Sequence, residues 1–199
     1  MSSPARARGP YAKTEARRAE ILSTALDAFS VRGFQGSSLR EIAEAVGLSQ
    51  AGVLHHFSSK EALLAAVLAE KDAASASHFE GAHGVGVLEA LRGVVAENLA
   101  QPGLIRLFTT LSAEAINEDH PAHGYFQIRY AAAREGIAAA LAQGKKDGDV
   151  GEDVDVGMAA SLLIAIMDGL QMQWLLNEEF DMLAAFDTFL STFRARIGA

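Results

Sequence analysis

Apolar residues recur at helical spacing along almost the whole chain, and the breaks between them predict the elements. From Thr14 they fall at Ile21, Leu22, Ala25, Leu26 and Phe29, one face of a helix. Gly33 permits a left-handed stop, with Phe34 folding back onto that face. Ser38 opens a second helix, and Glu41 three residues on predicts a capping box, each side chain satisfying the other's backbone donor. Its inward side is Leu39, Ile42, Ala43 and Val46. At Gly47 the chain turns where a β-carbon would hinder it, and Leu48 plugs the turn. Ser49 caps a third helix of about nine residues, roughly 13 Å long at 1.5 Å per residue. Its inward residues are Val53, His56 and Phe57. Ser58 and Glu61 predict a second capping box, opening a fourth helix through Leu63, Leu64, Val67 and Leu68 to Phe79.

Gly81, Gly84 and Gly86 mark a loop, after which helices are predicted over 87–100, 103–117 and 121–143, broken at Pro102 and from Asn117 to Pro121. The polar run 144–155, GKKDGDVGEDVD, reads as a loop. Two closing helices follow, 156–177 and 181–197, the last carrying Phe186, Phe189, Leu190, Phe193 and Ile197 on one stripe. There is no internal repeat and no alternating strand pattern. The expected fold class is all-α with about nine helices: a three-helix helix-turn-helix domain joined to a helical bundle. The expected divisions are a flexible basic arm at 1–13, the helix-turn-helix at 14–60 and the bundle at 61–199.

Charge changes the picture because it is unevenly placed. The net charge is −8 over 199 residues. Residues 1–60 nevertheless hold eight Lys/Arg against five Asp/Glu, and residues 61–199 hold nine against twenty. The basic excess gathers at Arg6, Arg8, Lys13, Arg17 and Arg18. Such an arm beside a near-neutral domain grips phosphates, or it is a solvated terminus; both readings stand on the sequence. Half of the residues are hydrophobic, so the chain folds. The absence of cysteine excludes disulfides, thiolate zinc sites and a cysteine nucleophile, and fits a cytoplasmic protein. The run from Val156 to Asn177 is apolar, but Asp168 stands at its middle, with Gln171 and Gln173 behind. A mid-bilayer charge costs roughly 2.5–3.5 kcal/mol, so this is expected to be a helix enclosed by protein on most sides, with no membrane partner.

The two-helix unit at 38–57 has the logic of a DNA reader: a support helix, a glycine turn and a recognition helix entered by its N-terminal residues. The string from Gly33 to Leu64, GFQGSSLREIAEAVGLSQAGVLHHFSSKEALL, resembles the DNA-binding domain of the TetR family of bacterial repressors in order and spacing. The resemblance covers about fifty residues; the remainder resembles that family only in helix count and pattern. It implies a regulatory domain of six helices whose last two pair across a two-fold axis, their apolar stripes buried in a four-helix bundle between subunits, giving a homodimer on a palindromic DNA operator.

Roles follow residue by residue. Gln50 projects early from the recognition helix, and an amide can bond adenine bidentately. Ala51 and Gly52 leave room for close approach, Ala51 toward a thymine methyl. The resemblance places His55 and Lys60 at phosphate contacts. Ser49 caps its helix and can bond a phosphate, and Arg17, Arg18 and Arg40 can grip the backbone. Leu54 stands where the family often has a phosphate-binding tyrosine; it either packs inward or makes an apolar contact. His56 is expected to be packed.

The resemblance also implies a small-molecule effector that enters a pocket among the middle helices and shifts the fourth helix. Candidate lining residues are Phe79, Phe108, Leu111, Tyr125, Phe126, Met167, Met172 and Trp174, since aromatics and methionines make adaptable apolar walls. Asp168 and Gln171 need partners on an apolar helix: a ligand, or a neighbouring helix pair. Glu114 and Arg129 are weaker candidates of the same kind. His120 and His123, with Asp119, bracket a proline-broken turn and are read as capping or surface residues rather than metal ligands. No cofactor is expected. A small helical enzyme would leave the helix-turn-helix unexplained and lacks a nucleophile–base pair; a partner-binding adaptor has only Leu54 and the acidic balance behind it.

Overall fold

The computed structural model describes residues 10–198, the side chains of Pro10 and Tyr11 excepted. Pro4, Arg6, Arg8 and Gly9 of the expected arm lie outside the described residues. Among the described residues there are nine α-helices and no strand. The chain divides into two compact units that meet between Ala69 and Glu70, inside the fourth helix rather than at its start.

The first unit begins with α1, Pro10–Gly36. It starts four residues before Thr14, so Pro10 to Lys13 are helix and not tail. Proline suits a first helical turn because its fixed φ matches the helix and the missing N–H had no partner there. Gly33, at φ 72 and ψ 171, breaks the helical run. Phe34 then folds back, its ring 5.7 Å from that of Phe29. The buried Ser37 hydroxyl locks this corner by donating to Ala28 O (3.0 Å) or Gly33 O (2.9 Å). Ile21, Leu22, Ala25 and Phe29 are buried as their spacing predicts.

α2 is Leu39–Ala45, and its capping box is complete: Ser38 Oγ accepts from Glu41 N, while Ser38 N donates to the Glu41 carboxylate at 3.1 Å. α3 is Gln50–His56, seven residues and not nine, because the chain is already extended at Phe57 (φ −139, ψ 113). α4 is Lys60–Ala76, followed by one 3₁₀ turn, Ser77–Phe79. Its cap is Ser59 rather than Ser58: Ser59 Oγ accepts from Ala62 N at 3.1 Å, the i to i+3 reach that a cap needs.

The second unit carries α5 (Gly86–Leu99), α6 (Pro102–Glu114), α7 (His123–Asp147), α8 (Val156–Leu176) and α9 (Met182–Ile197). α7 runs four residues into the stretch expected to be a loop. Gly144 sits within it because a Cβ there would collide with Gly84 Cα, so two glycines let α7 and the loop before α5 touch. Asp155 and Asp181 cap α8 and α9 through Met158 N and Ala184 N. One core joins α5, α7, α8 and α9, with Leu88, Leu141, Leu163 and Phe186 fully buried.

Two expectations for this unit need correction. The α9 stripe is used inside the chain: Phe186, Leu190 and Ile197 are buried, with Phe189 and Phe193 packed against the same core. The free apolar stripe lies on α8, which is not enclosed by protein on most sides, since only 28% of its most apolar window is buried. Met158, Leu162, Ala165, Gly169, Met172 and Leu176 all face outward there, at alternating spacings of four and three. α8 is long and apolar enough to cross a membrane by length and composition alone, with mean hydropathy 1.4.

Candidate functional site

In the first unit α2 and α3 are set against one another by Gly47, whose φ of 66 lies in the left-handed region that side chains disfavour. Leu48 N donates back to Ala43 O at 2.8 Å, and Ser49 Oγ caps α3 through Gly52 N at 3.1 Å. Val53 and Phe57 are buried beneath α3, whereas His56 is only half-buried. The opposite face is open: Gln50, Ala51, Leu54 and His55 are exposed and Gly52 half-exposed. Leu54, 38% exposed, points outward, which leaves it for an apolar contact rather than for packing.

The basic residues divide by what they already hold. Arg17 donates from Nη1 to Val46 O (3.1 Å) and Glu20 (2.7 Å). Arg18 Nη1 donates to His56 O at 3.3 Å, and its guanidinium lies 4.3 Å over the Phe57 ring. Two adjacent arginines of α1 therefore grip the C-terminal ends of α2 and α3, where carbonyls lack helical partners and a cation is favoured. The Lys60 ammonium stands 4.3 Å over the Phe34 ring. Arg40 pairs with Glu44 at 2.8 Å and stays exposed.

The second unit contains a partly open cavity of about 400 Å³. Of the residues read from sequence, Phe79, Phe108, Phe126, Met167, Asp168, Gln171 and Met172 line it. Leu111, Tyr125 and Trp174 do not: Leu111 and Trp174 are buried in the core, and the Tyr125 hydroxyl is held by Asp72. Arg129 also lines the cavity; its Nε donates to Asp72 at 2.8 Å and its guanidinium lies 5.1 Å over Phe108. Tyr130 donates to Asp168 at 2.8 Å. Partial desolvation in the wall raises the Asp168 carboxyl, and burial with the Asp168 charge pushes the Tyr130 hydroxyl up to about 12.

Lys71, Ser75, Asn98 and Tyr130 are lining residues the pattern did not single out. A signal was present for two of them. Lys71 continues the buried stripe Leu64, Val67, Leu68, and Asn98 continues Leu91, Val94, Val95, so each is a polar residue on an inward face. Glu114 lies outside the cavity lining and stands 3.5 Å from His120. His123 Nδ1 bonds Ala115 O at 2.7 Å, consistent with a turn-holding role.

A capped recognition helix on a glycine turn, followed by a helical body with an internal cavity, defines the helix-turn-helix transcriptional regulators that carry a ligand-sized chamber. Residues 21–67 match the family described as bacterial regulatory proteins, tetR family, and residues 87–195 match the BetI-type transcriptional repressor C-terminal family. The chain belongs to the TetR family of transcriptional regulators, DNA-binding proteins and not enzymes. It is 27% identical over 193 residues to the HTH-type transcriptional regulator UidR of Escherichia coli K12, covering 94% of each chain. It is 28% identical over 167 residues to the HTH-type transcriptional repressor KstR2 of Rhodococcus jostii, covering 74% of each. The structure of Salmonella enterica GusR superposes with a TM-score of 0.76 at 25% identity, covering 94% of this chain and 98% of that one.

Proposed function

We propose that the protein is a cytoplasmic homodimeric repressor that binds a roughly palindromic operator and leaves it when a small molecule occupies the cavity. The observation that carries the reading is the outward face of α3, where Gln50 and Ala51 stand beside His55 with nothing of their own unit over them. Gln50 reads a base edge, and Ala51 and Leu54 meet thymine methyls or sugars. Ser49, Gly52, His55 and Lys60 approach phosphates, with Arg40 and the free N–H groups of Arg17 and Arg18 beside them. The outward stripe of α8 supplies an isologous apolar surface, and small residues on α9 (Ala184, Thr188, Ser191, Ala195) allow a close neighbour. The repressors among the chain's relatives support the sign of regulation. α4 supports the coupling, since it begins at Lys60 and carries Lys71 and Ser75 to the cavity wall, with Asp72 holding the lining residue Arg129.

The test is footprinting on the DNA upstream of its own gene, with salt titration. An inverted repeat is protected, with affinity falling steeply with salt. Gln50→Ala weakens binding by about 1–3 kcal/mol and relaxes base preference, while Lys60→Ala weakens it evenly across sequences. Salt-insensitive binding, or none, ends the reading.

A further inference from the structure

The cavity wall holds one cation that the subunit leaves short of partners. Lys71 is 6% exposed, and its Nζ makes no hydrogen bond. Glu97 Oε1 stands 3.5 Å away, but that carboxylate is already bonded to His78 Nε2 (2.9 Å) and Gln101 Nε2 (3.1 Å). Burial holds the Lys71 ammonium below its ordinary range, against the pull of Glu97. Asn98, 3% exposed and on the same wall, has an Oδ1 with no partner either. A buried ammonium whose three donors make no hydrogen bond, and whose single ion-pair partner at 3.5 Å is shared with two other groups, is costly unless something else meets it.

The other charges of the cavity are answered. Arg129 is held by Asp72, and its stacking covers a face of Phe108 that an organic cation would want. Asp168 accepts from Tyr130. Glu97, Asp72 and Asp168 already stand close to the chamber, so a ligand carrying a single negative charge is repelled less than one carrying two. The remaining walls are apolar, among them Leu91, Ile105, Ile137 and Ile164.

From this geometry we propose that the effector is a monocarboxylate with a largely apolar body, its carboxylate seated on Lys71 and a nearby hydroxyl or amide N–H donating to Asn98 Oδ1. The assignment rests on the effector-controlled reading above. The test uses the full chain and four matched probes below their micellar concentrations: octanoate, octanamide, octylammonium and octyl phosphate, followed by calorimetry. Octanoate binds about tenfold or more tightly than the other three, Lys71→Met removes that preference, and Lys71→Arg keeps most of it. Without any probe, Lys71→Met melts at or above the wild-type temperature, because Glu97 keeps its other partners. Octanamide, octylammonium or octyl phosphate binding as well as octanoate overturns the proposal, as does absence of binding by all four. A clear drop in the melting temperature of Lys71→Met also overturns it, since Lys71 would then serve the fold. Operator affinity separates the two readings. Lys71-dependent octanoate binding that leaves operator affinity unchanged sinks effector control but not the carboxylate. Release by octylammonium or octanamide alone does the reverse.

Discussion

The two units treat their polar groups in opposite ways. In the first, Ser38, Ser49, Arg17 and Arg18 each meet a backbone group whose partner a short helix cannot supply. Helices of seven residues are too short to persist alone, so caps and the packing of Val53 and Phe57 hold them. In the second, Asp155 and Asp181 cap α8 and α9, but the long helices rest mainly on a shared core, and polar atoms on Lys71 and Asn98 lack hydrogen bonds around the cavity. Around the exposed α3 face, the caps and arginines place side chains through satisfied contacts. On the proposed reading, the chamber keeps contacts in reserve for a guest.

The sharpest way to break this contrast is to truncate one buried aromatic in each unit. Phe57→Ala removes the ring beneath α3 and the platform of Arg18, and costs about 3–5 kcal/mol, seen as loss of DNA binding and early melting. Phe126→Ala only enlarges an existing cavity and costs less; equal losses in denaturant titration would erase the distinction. Next, Gly47→Ala forces a β-carbon into a left-handed conformation and costs about 1–2 kcal/mol, with DNA affinity falling more than probe binding. Ser38→Ala, which opens the capping box, costs about 1 kcal/mol by thermal denaturation. The smallest effect is in pH. Ser38's hydroxyl and backbone N–H, then Arg32, hold the Glu41 carboxyl below its usual range. Its contribution is therefore present above the unfolded value of about 4.3 and is lost as pH falls through the folded one. The melting difference between wild type and Glu41→Gln is present at neutral pH and vanishes in acid.

What could be read from the chain follows the same division. Ser38, Glu41, Gly47 and Ser49 act within four residues of themselves, so spacing alone declared the turn and its two helices. Ser58 and Ser59 are adjacent and equally suited to a cap, and only the backbone chose between them. The end of α7 escaped because Gly144 looks like a breaker, while its reason for being small is Gly84, sixty residues away. Tyr125 and Trp174 were read as lining because size and aromaticity do not reveal which way a ring points. Lys71 and Asn98 were legible as polar residues on buried stripes, but only the chamber gives them meaning. The α9 phenylalanines show the limit most plainly: an apolar stripe announces that it will be covered, not whether by its own chain or by another.

Met172 lines the chamber and is also 51% exposed on the outer ridge of α8. Whatever rests on that ridge therefore shares a side chain with whatever fills the interior. If the proposed dimer forms on this ridge, a guest that favours one rotamer of this methionine changes self-association by the same factor by which self-association changes the guest's affinity. Saturation curves for such a protein should slide along the concentration axis as the chain itself is made scarce.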